Sequence, residues 1–334
     1  MVKIMKLYII GNGFDIHHRL RTSYLNYREF LLNNYPQVLA EFEKFPYTFM
    51  YGQNYIELWS DLEQSLSINY NECISDAIED GYPDLNNDSE SRWYEIEFEL
   101  EEQTRFIYDF TGKYFYEWLY SIDFSNCIPD LPLTHNDLYV TFNYTTTLET
   151  IYNIPSSRIL HLHGCIDKVN PRNFFGDNFY NPAKSIYEAE VTTPIPLYPY
   201  NHENVHSEIQ FGSTNNNSQL IKNELERQYG NDDFYGASIE LGVNKIIEYC
   251  DASSKNLKHN YNTLRNFISA SNINEVVIMG HSFEGIDSDY YKDILIPRLK
   301  NCLWSIYIHS SQDEAKANIF ITKYNLHNFQ LIVW

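Results

Sequence analysis

Four short stretches of the chain contain residues that can move protons or bind a nucleotide, and each stretch follows or includes an apolar run. The first is Gly11-Asn12-Gly13-Phe14-Asp15. Glycines allow backbone N–H groups to approach phosphate oxygens without a Cβ clash, so this turn is a candidate phosphate loop. Asp15 has the wrong charge for a phosphate and suits a ribose hydroxyl, a helix N-terminus or a catalytic role. A tight turn without a ligand is the alternative.

Two further stretches place a polar side chain at the end of an apolar run. In VTFNYTTTLETIY that residue is Asn143, and in HLHG it is His163. Asn both donates and accepts hydrogen bonds, so Asn143 can orient a water or a ribose hydroxyl, with capping of the next turn as the alternative. A neutral His163 can act as a general base near physiological pH. His161 lies two residues earlier and would share its face on a strand, although a lone strand histidine is more often structural.

The fourth stretch is GHSFEGID, which begins with Gly280, His281 and Ser282. A turn of this composition at a strand end can cradle a ribose or phosphate through backbone N–H groups and the serine hydroxyl. The residue two positions after Ser282 is Glu284, so the G-x-S-x-G pattern of hydrolase nucleophiles is absent. Asp287 follows at the start of a predicted helix, where capping is its expected role.

The elements that must position these residues alternate between strand and helix. Apolar runs typical of buried parallel strands occupy residues 6–11, 138–143, 158–164, 275–280, 303–309 and 329–334, with a weaker run at 208–212. This alternation predicts an α/β fold in which helices cover both faces of a parallel sheet. Ligand sites of such sheets lie at the carboxyl ends of the strands, so the four motifs are expected to form one pocket.

A helical region separates the first two predicted strands. Leu58, Leu62 and Leu66 share one helical face, and apolar residues from Trp93 to Trp118 recur at spacings of three, four or seven. We therefore predict a helical insertion at 50–122 within a Rossmann-like nucleotide-binding domain formed by residues 1–49 and 123–334. The many carboxylates of the insertion are expected to form a solvated face.

Two other segments have distinctive patterns. Residues 165–206 are rich in Asn, Pro and Tyr and are predicted to form a long loop or lid. Residues 212–219 read as a loop that leads into a helix. Near the end of the chain, Ser311 and Glu314 have the spacing of a capping box before the last helix.

Composition limits the classes of partner. The chain has 334 residues and a net charge of −21, which disfavours a broad nucleic-acid or anionic-lipid surface. The five cysteines are scattered and form no C-x-x-C pair, which argues against a zinc module and a disulfide framework. No apolar run approaches the ~18 residues of a membrane span. We expect a cytoplasmic protein without a membrane partner.

The order of the motifs resembles the bacteriophage abortive infection AbiH family. The matching pieces are LYIIGNGFDIHH with TSY, WSDLE at 59–63, TFNYTTTLETIY, HLHG and MGHSFEGIDSDYY, so the resemblance runs from residue 7 to about 291. These motifs are also similar to those of the SIR2-like group. That likeness implies that Gly11 and Gly13 line a phosphate loop, Asn143 orders water or ribose, His163 is the base, and Gly280 and Ser282 touch the nucleotide.

Together, the residues and the resemblance predict an anti-phage abortive-infection effector with a SIR2-like nucleotide pocket. The predicted reaction is hydrolysis of NAD, or a related nucleotide, at its glycosidic bond, with no metal. The predicted catalytic residues are Asn143, His163 and Asp15; the predicted nucleotide-binding residues are Gly11, Asn12, Gly13, Phe14, Gly280, His281, Ser282 and Asp287. A phage-derived trigger, a partner defence protein and self-association are further partners that the resemblance suggests.

Two alternatives remain open from the sequence. In the first, the protein is a metal-dependent nuclease or hydrolase, and its candidate ligands are Asp15, His17, His161, His163 and His281. In the second, it is a nucleotide sensor that performs no catalysis.

Overall fold

The sheet is the organising element of the fold. A computed structural model describes residues 5–48, 55–81, 94–166, 209–230, 236–255, 257–269, 272–283 and 287–334. Within these ranges, six strands form one parallel sheet in the order β3-β2-β1-β4-β5-β6. They are Met5–Ile10 (β1), Leu138–Thr141 (β2), Ile159–His161 (β3), Ile273–Met279 (β4), Leu303–Ile308 (β5) and Phe329–Val333 (β6).

Alternate residues of the central strands enter cores on the two faces of the sheet. In β1, Leu7 and Ile9 lie in one core, whereas Tyr8 and Ile10 lie in the other, and all four are buried. A strand that is apolar on both faces cannot sit against water, which is why β1 occupies the middle of the sheet. The predicted Rossmann-like α/β fold is confirmed.

Helices connect the strands. Between β1 and β2 they are Asn12–His17 (α1), Tyr24–Asn34 (α2), Pro36–Lys44 (α3), Tyr55–Ser60 (α4), Leu62–Ser65 (α5), Tyr70–Gly81 (α6), Glu95–Thr104 (α7), Phe106–Tyr108 (α8), a π-helical turn at Asp109–Lys113 and Tyr114–Ser121 (α9). Thr147–Tyr152 (α10) and the 3-10 turn Ser156–Arg158 precede β3; Ser218–Tyr229 (α11), Gly236–Ala252 (α12) and Leu257–Ser269 (α13) precede β4. The remaining helices are Ser288–Tyr290 (α14), a π-helical turn at Tyr291–Leu295, Ile296–Leu299 (α15) and Ser311–Tyr324 (α16).

The helices also have a hydrophobic core of their own. The predicted apolar face of the insertion is buried there, including Leu62, Leu66, Leu100 and Phe110. Helix α12 belongs to the same core, and its Gly242 lies so close to Ile96 that an added Cβ would stand 2.6 Å from the isoleucine Cγ2. The helical core thus contains residues from chain segments before β2 and after β3. The boundaries of the helical insertion at residues 50 and 122 stay a prediction.

Some local predictions are wrong. Residues 209–212 form no strand; Ile209 and Phe211 enter the helical core, and only the next residue, Ser213, makes a single bridge to Ser254. The last helix is capped one residue earlier than predicted, because the Ser310 hydroxyl accepts a hydrogen bond from the Asp313 amide. The predicted lid at 165–206 lies outside the described residues except for its first two, and Trp93 and Glu284 also lie outside them.

The strand order creates one position suited to a ligand. Strands β2 and β3 lie on one side of β1. The strands that follow them in the chain, β4, β5 and β6, lie on the other side. A crevice forms at the carboxyl ends of the strands where the direction of winding reverses, here between β1 and β4. Both glycine motifs, at 11–13 and at 280, follow these two strands.

Candidate functional site

The two glycine turns interlock at the ends of β1 and β4. Gly11 N–H donates to the Met279 carbonyl at 3.0 Å, and Gly13 N–H donates to the Gly280 carbonyl at 2.9 Å. Gly280 has a φ of +66°, and a Cβ at this position would lie 2.1 Å from the Phe14 backbone nitrogen. The absence of side chains at these glycines therefore allows two backbone segments to touch.

This contact gives the glycines a structural function of their own. Because the amides of Gly11 and Gly13 already donate within the protein, a phosphate would need other donors at this turn. Asn12 donates from its side chain to the Thr22 carbonyl at 3.0 Å, and Phe14 is fully buried in the sheet core. Ser282 is exposed. Nucleotide contacts by these residues stay a prediction.

Asp15 lies beneath the glycine turn and is fully buried. Its two carboxylate oxygens accept hydrogen bonds from the hydroxyls of Thr145 at 2.5 Å and Thr147 at 2.7 Å. Burial raises the pKa of Asp15, whereas the threonine hydrogen bonds oppose the rise. Asp15 thus connects α1 to the start of α10.

Asn143 follows β2 and reaches across to the glycine turn. Its side-chain amide donates to the Gly11 carbonyl at 3.1 Å, and its side chain also hydrogen-bonds with Asp15. Asn143 is 8% exposed. The structure therefore brings three predicted site residues together, with Asn143 holding the turn in place.

Four ionisable side chains meet beside this turn, and we call them the buried ionic cluster: Glu63, His163, Lys255 and Asp287. Lys255 is at the centre, where its Nζ lies 2.5 Å from Glu63 Oε2, 3.2 Å from His163 Nδ1 and 3.9 Å from Asp287 Oδ1. The Lys255 side chain has no exposed surface and that of His163 is 1% exposed, but that of Asp287 is 20% exposed. The cluster therefore approaches the surface at Asp287.

Aromatic and polar residues surround the cluster. The hydroxyls of Tyr24 and Tyr144 both donate to Glu63 Oε1, at 2.9 and 2.6 Å. His281 Nε2 lies 3.7 Å from Asp287 Oδ2, and the Phe142 ring contacts the rings of His163 and His281 edge to face. Asp287 makes no side-chain cap, so its predicted capping role is wrong; its carboxylate faces the cluster instead.

Burial and the central ammonium group determine the charges of the cluster. Burial and then the Lys255 charge lower the pKa of His163 to about 3, so the imidazole is neutral at physiological pH. Burial alone would raise the pKa of Asp287, but Lys255 and His163 outweigh it and hold that pKa below its usual range. Burial raises the pKa of Glu63, and Lys255 opposes the rise.

The contacts also determine which nitrogen of His163 carries the proton. A lysine ammonium has three donors and no acceptor, so His163 Nδ1 must accept from Lys255 and the proton lies on Nε2. That Nε2 lies 3.5 Å from Asp287 Oδ1, and both atoms are buried without a hydrogen-bond partner among the described residues. In this tautomer His163 is a donor, which differs from the general base that the sequence predicted.

Titration of His163 tests this arrangement. We expect the imidazole to stay neutral, with its proton on Nε2, from pH 8 down to pH 5, because its pKa is lowered to about 3. Nitrogen chemical shifts of histidine-labelled protein would report both properties, and His163→Gln would assign the signal. Protonation of this ring between pH 6 and 7 would contradict the assigned charges.

The other histidines of the motifs lie elsewhere. Strand β3 ends at His161, so His163 lies in the turn that follows and the two do not share a face. His161 Nε2 instead contacts Glu149 Oε1 at 2.8 Å. His17 stacks on Trp334, and His18 contacts the Tyr152 hydroxyl at 2.6 Å. Within the described ranges, no three His, Cys, Asp or Glu side chains are arranged to hold a metal ion.

A cavity of about 480 Å³ opens at a different place, between α2 and the segment that follows α9. Its walls include Arg19, Arg21, Asn26 and Trp118, and none of the predicted site residues lines it. We place the candidate site at the buried ionic cluster, because the cluster combines the switch point of the sheet with groups that can move protons.

Sequence reasoning missed the part of the cluster that comes from the helical regions. Tyr24 and Glu63 lie within the TSY and WSDLE motifs, which indicated a family resemblance but no functional role for either residue. Each quoted motif in fact supplies a side chain to this region: Tyr24, Glu63, Tyr144, His163, His281 and Asp287. Lys255 lies in DASSKNL, which has no motif, and no signal in the sequence distinguishes it from a surface lysine.

Comparisons with known proteins identify the family of the chain. The family described as bacteriophage abortive infection AbiH matches residues 7–308, a range that contains all of the motifs, most of β1 and the whole of β2 to β5. No curated protein and no solved structure matches the chain. Among the helices that the structure describes, none combines the length and the apolar character that a membrane crossing requires. The chain belongs to the bacteriophage abortive infection AbiH family.

Proposed function

We propose that this protein is an abortive-infection effector that hydrolyses the glycosidic bond of NAD or of a related nucleotide. The family supports the role in phage defence. The reaction is proposed from the chemistry of the buried ionic cluster and from its position beside the switch point of the sheet.

One observation carries the proposal. His163 Nε2–H and Asp287 Oδ1 face each other at 3.5 Å, and neither has a hydrogen-bond partner among the described residues. Buried polar atoms without partners are rare in folded proteins, and a catalytic role is one of the few reasons for them. A group that accepts from His163 and donates to Asp287 would satisfy both atoms, and a hydroxyl group or a water molecule has this property.

A ribose hydroxyl and an attacking water both meet this requirement. Departure of neutral nicotinamide from NAD leaves positive charge on the ribosyl carbon, so the leaving group needs no acid. The Asp287 carboxylate, ionised because of Lys255, would stabilise that charge and accept a proton from water. His163 would donate to the oxygen of the same water or hydroxyl, and Lys255 would hold His163 in the correct tautomer.

Asn143 and the glycine turns would position the reacting groups. The Asn143 amide holds the Gly11 carbonyl, and Gly13 is hydrogen-bonded to Gly280 at the start of the segment that carries Asp287. A shift of this turn would therefore move one side of the site. We therefore propose that the predicted residues position the nucleotide and that Asp287 carries out the proton transfer.

Release of nicotinamide from NAD by the purified protein tests the proposal, with and without phage components. We expect Asp287→Asn to lower the turnover number at least 100-fold, because general acid–base groups contribute roughly 100- to 10,000-fold. Asp289→Asn, two residues further along, is the matched control and should change turnover by less than about threefold. His163→Gln and Asn143→Ala should also lower turnover.

Several outcomes separate the proposal from its alternatives. Retained turnover in Asp287→Asn, with an unchanged melting temperature, would disprove the assigned chemistry. Tight NAD binding by the wild type with no product under any trigger would indicate a sensor instead. Activity that depends on a bound transition metal would favour the metal-dependent alternative.

A further inference from the structure

The outer strand of the sheet, β6, has an open edge. It pairs with β5 on one side, and within the described ranges no strand pairs with its other side. The opposite edge strand, β3, is shorter, with three residues against five in β6. Proteins usually protect a long edge with charged residues, proline or a bulge, because an open edge is a template for pairing with another chain. Residues 324–334 contain no Asp, Glu, Lys, Arg or Pro, and the register with β5 has no bulge, so β6 has none of these protections.

The hydrogen bonds to β5 determine which backbone groups of β6 point outward. The Trp304 N–H donates to the Asn328 carbonyl at 2.9 Å, and the Trp334 N–H donates to the Ile308 carbonyl at 3.2 Å. Successive residues of a strand direct their backbone groups to opposite sides, so the even-numbered positions of β6 face β5. The backbone groups that point outward belong to Phe329, Leu331 and Val333.

The side chains of these three residues are apolar and share one face of the sheet. Leu331 packs against the sheet core that includes Phe320 of α16. Phe329 and Val333 are two positions away on either side and therefore lie on the same face. Phe329 is 42% exposed and Val333 is 78% exposed. A further strand at this edge would cover these apolar side chains as well as the open backbone groups.

Contacts on the opposite face hold β6 in place before any partner binds. Gln330 Nε2 donates to the Ser305 hydroxyl at 2.8 Å. The Trp334 ring stacks on His17 of α1, with 4.5 Å between the ring centroids. An edge that is already held in its paired conformation loses little conformational entropy on association.

We propose that a second copy of this chain pairs with β6 and forms a two-fold dimer in which one sheet continues into the other. A two-fold axis perpendicular to the sheet makes the two β6 strands antiparallel. With the axis at Leu331, this residue faces the partner's Leu331, and Phe329 faces the partner's Val333. Facing residues of this kind exchange two N–H···O bonds per pair, about six in all. Aromatic and β-branched side chains that face each other across strands also stabilise a sheet.

Symmetry and charge favour a second copy as the occupant of the edge. A two-fold interface requires a surface that complements itself, and the outward residues of β6 are arranged evenly about Leu331. Two chains that each carry a net charge of −21 repel each other, so contact is least unfavourable where charged side chains are absent. Residues 324–334 are such a segment. Because each edge covers the other, the assembly closes at two copies.

The proposed dimer has a definite arrangement of its two candidate sites. The strands of the two copies run in opposite directions, so their carboxyl ends lie at opposite edges of the joined sheet. The two buried ionic clusters would therefore face away from each other and bind ligands separately. The inference does not depend on the proposed nucleotide hydrolysis.

Sedimentation of the full chain between about 1 and 100 μM tests the dimer, and we expect a concentration-dependent increase to twice the mass of one chain. Val333→Pro should weaken the dimer at least tenfold, because an outward donor is lost from each copy while the pairing with β5 is kept. Val333→Glu should also weaken it, because it introduces a carboxylate into the apolar contact with Phe329. Leu220→Glu makes the same change of charge at a leucine of α11 that is 65% exposed, and should leave the affinity unchanged.

Introduced cysteines test the register of the two strands. In the proposed pairing, position 329 of one copy faces position 333 of the other at about 5.5 Å between Cα atoms, which a disulfide can span. The double variant Phe329→Cys, Val333→Cys should therefore form a covalent dimer on mild oxidation, with peptide mapping that shows the bond between these two positions. Each single variant is a matched control, because its two introduced thiols lie about 13 Å apart across the axis.

Three results would overturn the proposal. The first is a chain that stays monomeric up to about 100 μM, including one that binds a strand of a different protein at this edge. The second is a dimer whose affinity is unchanged in both Val333 variants, since its interface must then lie elsewhere. The third is equal cross-linking in the double variant and the two single cysteine variants, which would contradict the pairing of positions 329 and 333.

Discussion

Replacement of Gly280 by alanine is expected to lower the free energy of unfolding by about 4 kcal/mol or more. Most point mutations cost less, and losses of this size have an identifiable structural cause. Two costs combine. A non-glycine residue at a φ of +66° is strained by roughly 1–3 kcal/mol. The added Cβ would also lie 2.1 Å from the Phe14 nitrogen and 2.5 Å from the Gly13 carbonyl carbon, so backbone rather than a side chain must move. Urea or thermal unfolding measures the change.

Gly112 provides the matched control for this substitution. It lies in the π-helical turn Asp109–Lys113, and a Cβ built there meets nothing within 4 Å. Gly112→Ala should leave stability unchanged or raise it by up to ~1 kcal/mol, because alanine lowers the entropy of the unfolded chain. Equal effects of the two substitutions would show that the interlocked turns do not hold the ends of β1 and β4 together.

The second large effect is expected for Lys255→Met, which should cost about 3–5 kcal/mol of folding free energy. The substitution removes the cation that faces both Glu63 and Asp287 and leaves two carboxylates in a buried site. Lys222→Met removes a lysine from an exposed pair with Glu226 and should cost at most ~1 kcal/mol. Chemical unfolding of the two variants gives the comparison.

The pH dependence of Lys255→Met has a definite sign. Lys255 opposes the rise in the pKa of Glu63, so its loss raises that pKa further. A carboxyl group with a higher pKa in the folded state binds more protons there than in the unfolded chain, so stability falls as pH rises. The variant should therefore be less destabilised at pH 5 than at pH 8. Addition of Glu63→Gln should recover at least ~1 kcal/mol at pH 8, as expected for coupled neighbours. A pH-independent loss, or no recovery, would contradict this.

The sheet and its loops could be predicted because their signals are local. Each central strand is an apolar run between turn residues, and parallel strands must end at a common edge, so Asn143, His163 and the two glycine turns were expected to meet. The segment 208–212 misled the prediction because its apolar side chains serve the helical core. The capping residue differed by one position because adjacent serines, Ser310 and Ser311, offer the same hydroxyl.

The buried ionic cluster could not be predicted in full because its contacts join distant parts of the sequence. Lys255 and Glu63 are 192 positions apart, and no spacing rule relates them. Asp287 was expected to cap a helix because aspartate at a helix start usually does so. A buried cation changes that preference, since a carboxylate gains more from an ammonium group than from a helix amide in a site with little water.

The spread of the cluster along the chain has a consequence during protein synthesis. Glu63 emerges from the ribosome early, whereas Asp287 follows β4 and is made only after most of the sheet. A partly synthesised or prematurely terminated chain that ends before β4 therefore lacks both the carboxylate and the strand that positions it. If the activity harms the cell that makes it, this order keeps incomplete chains harmless.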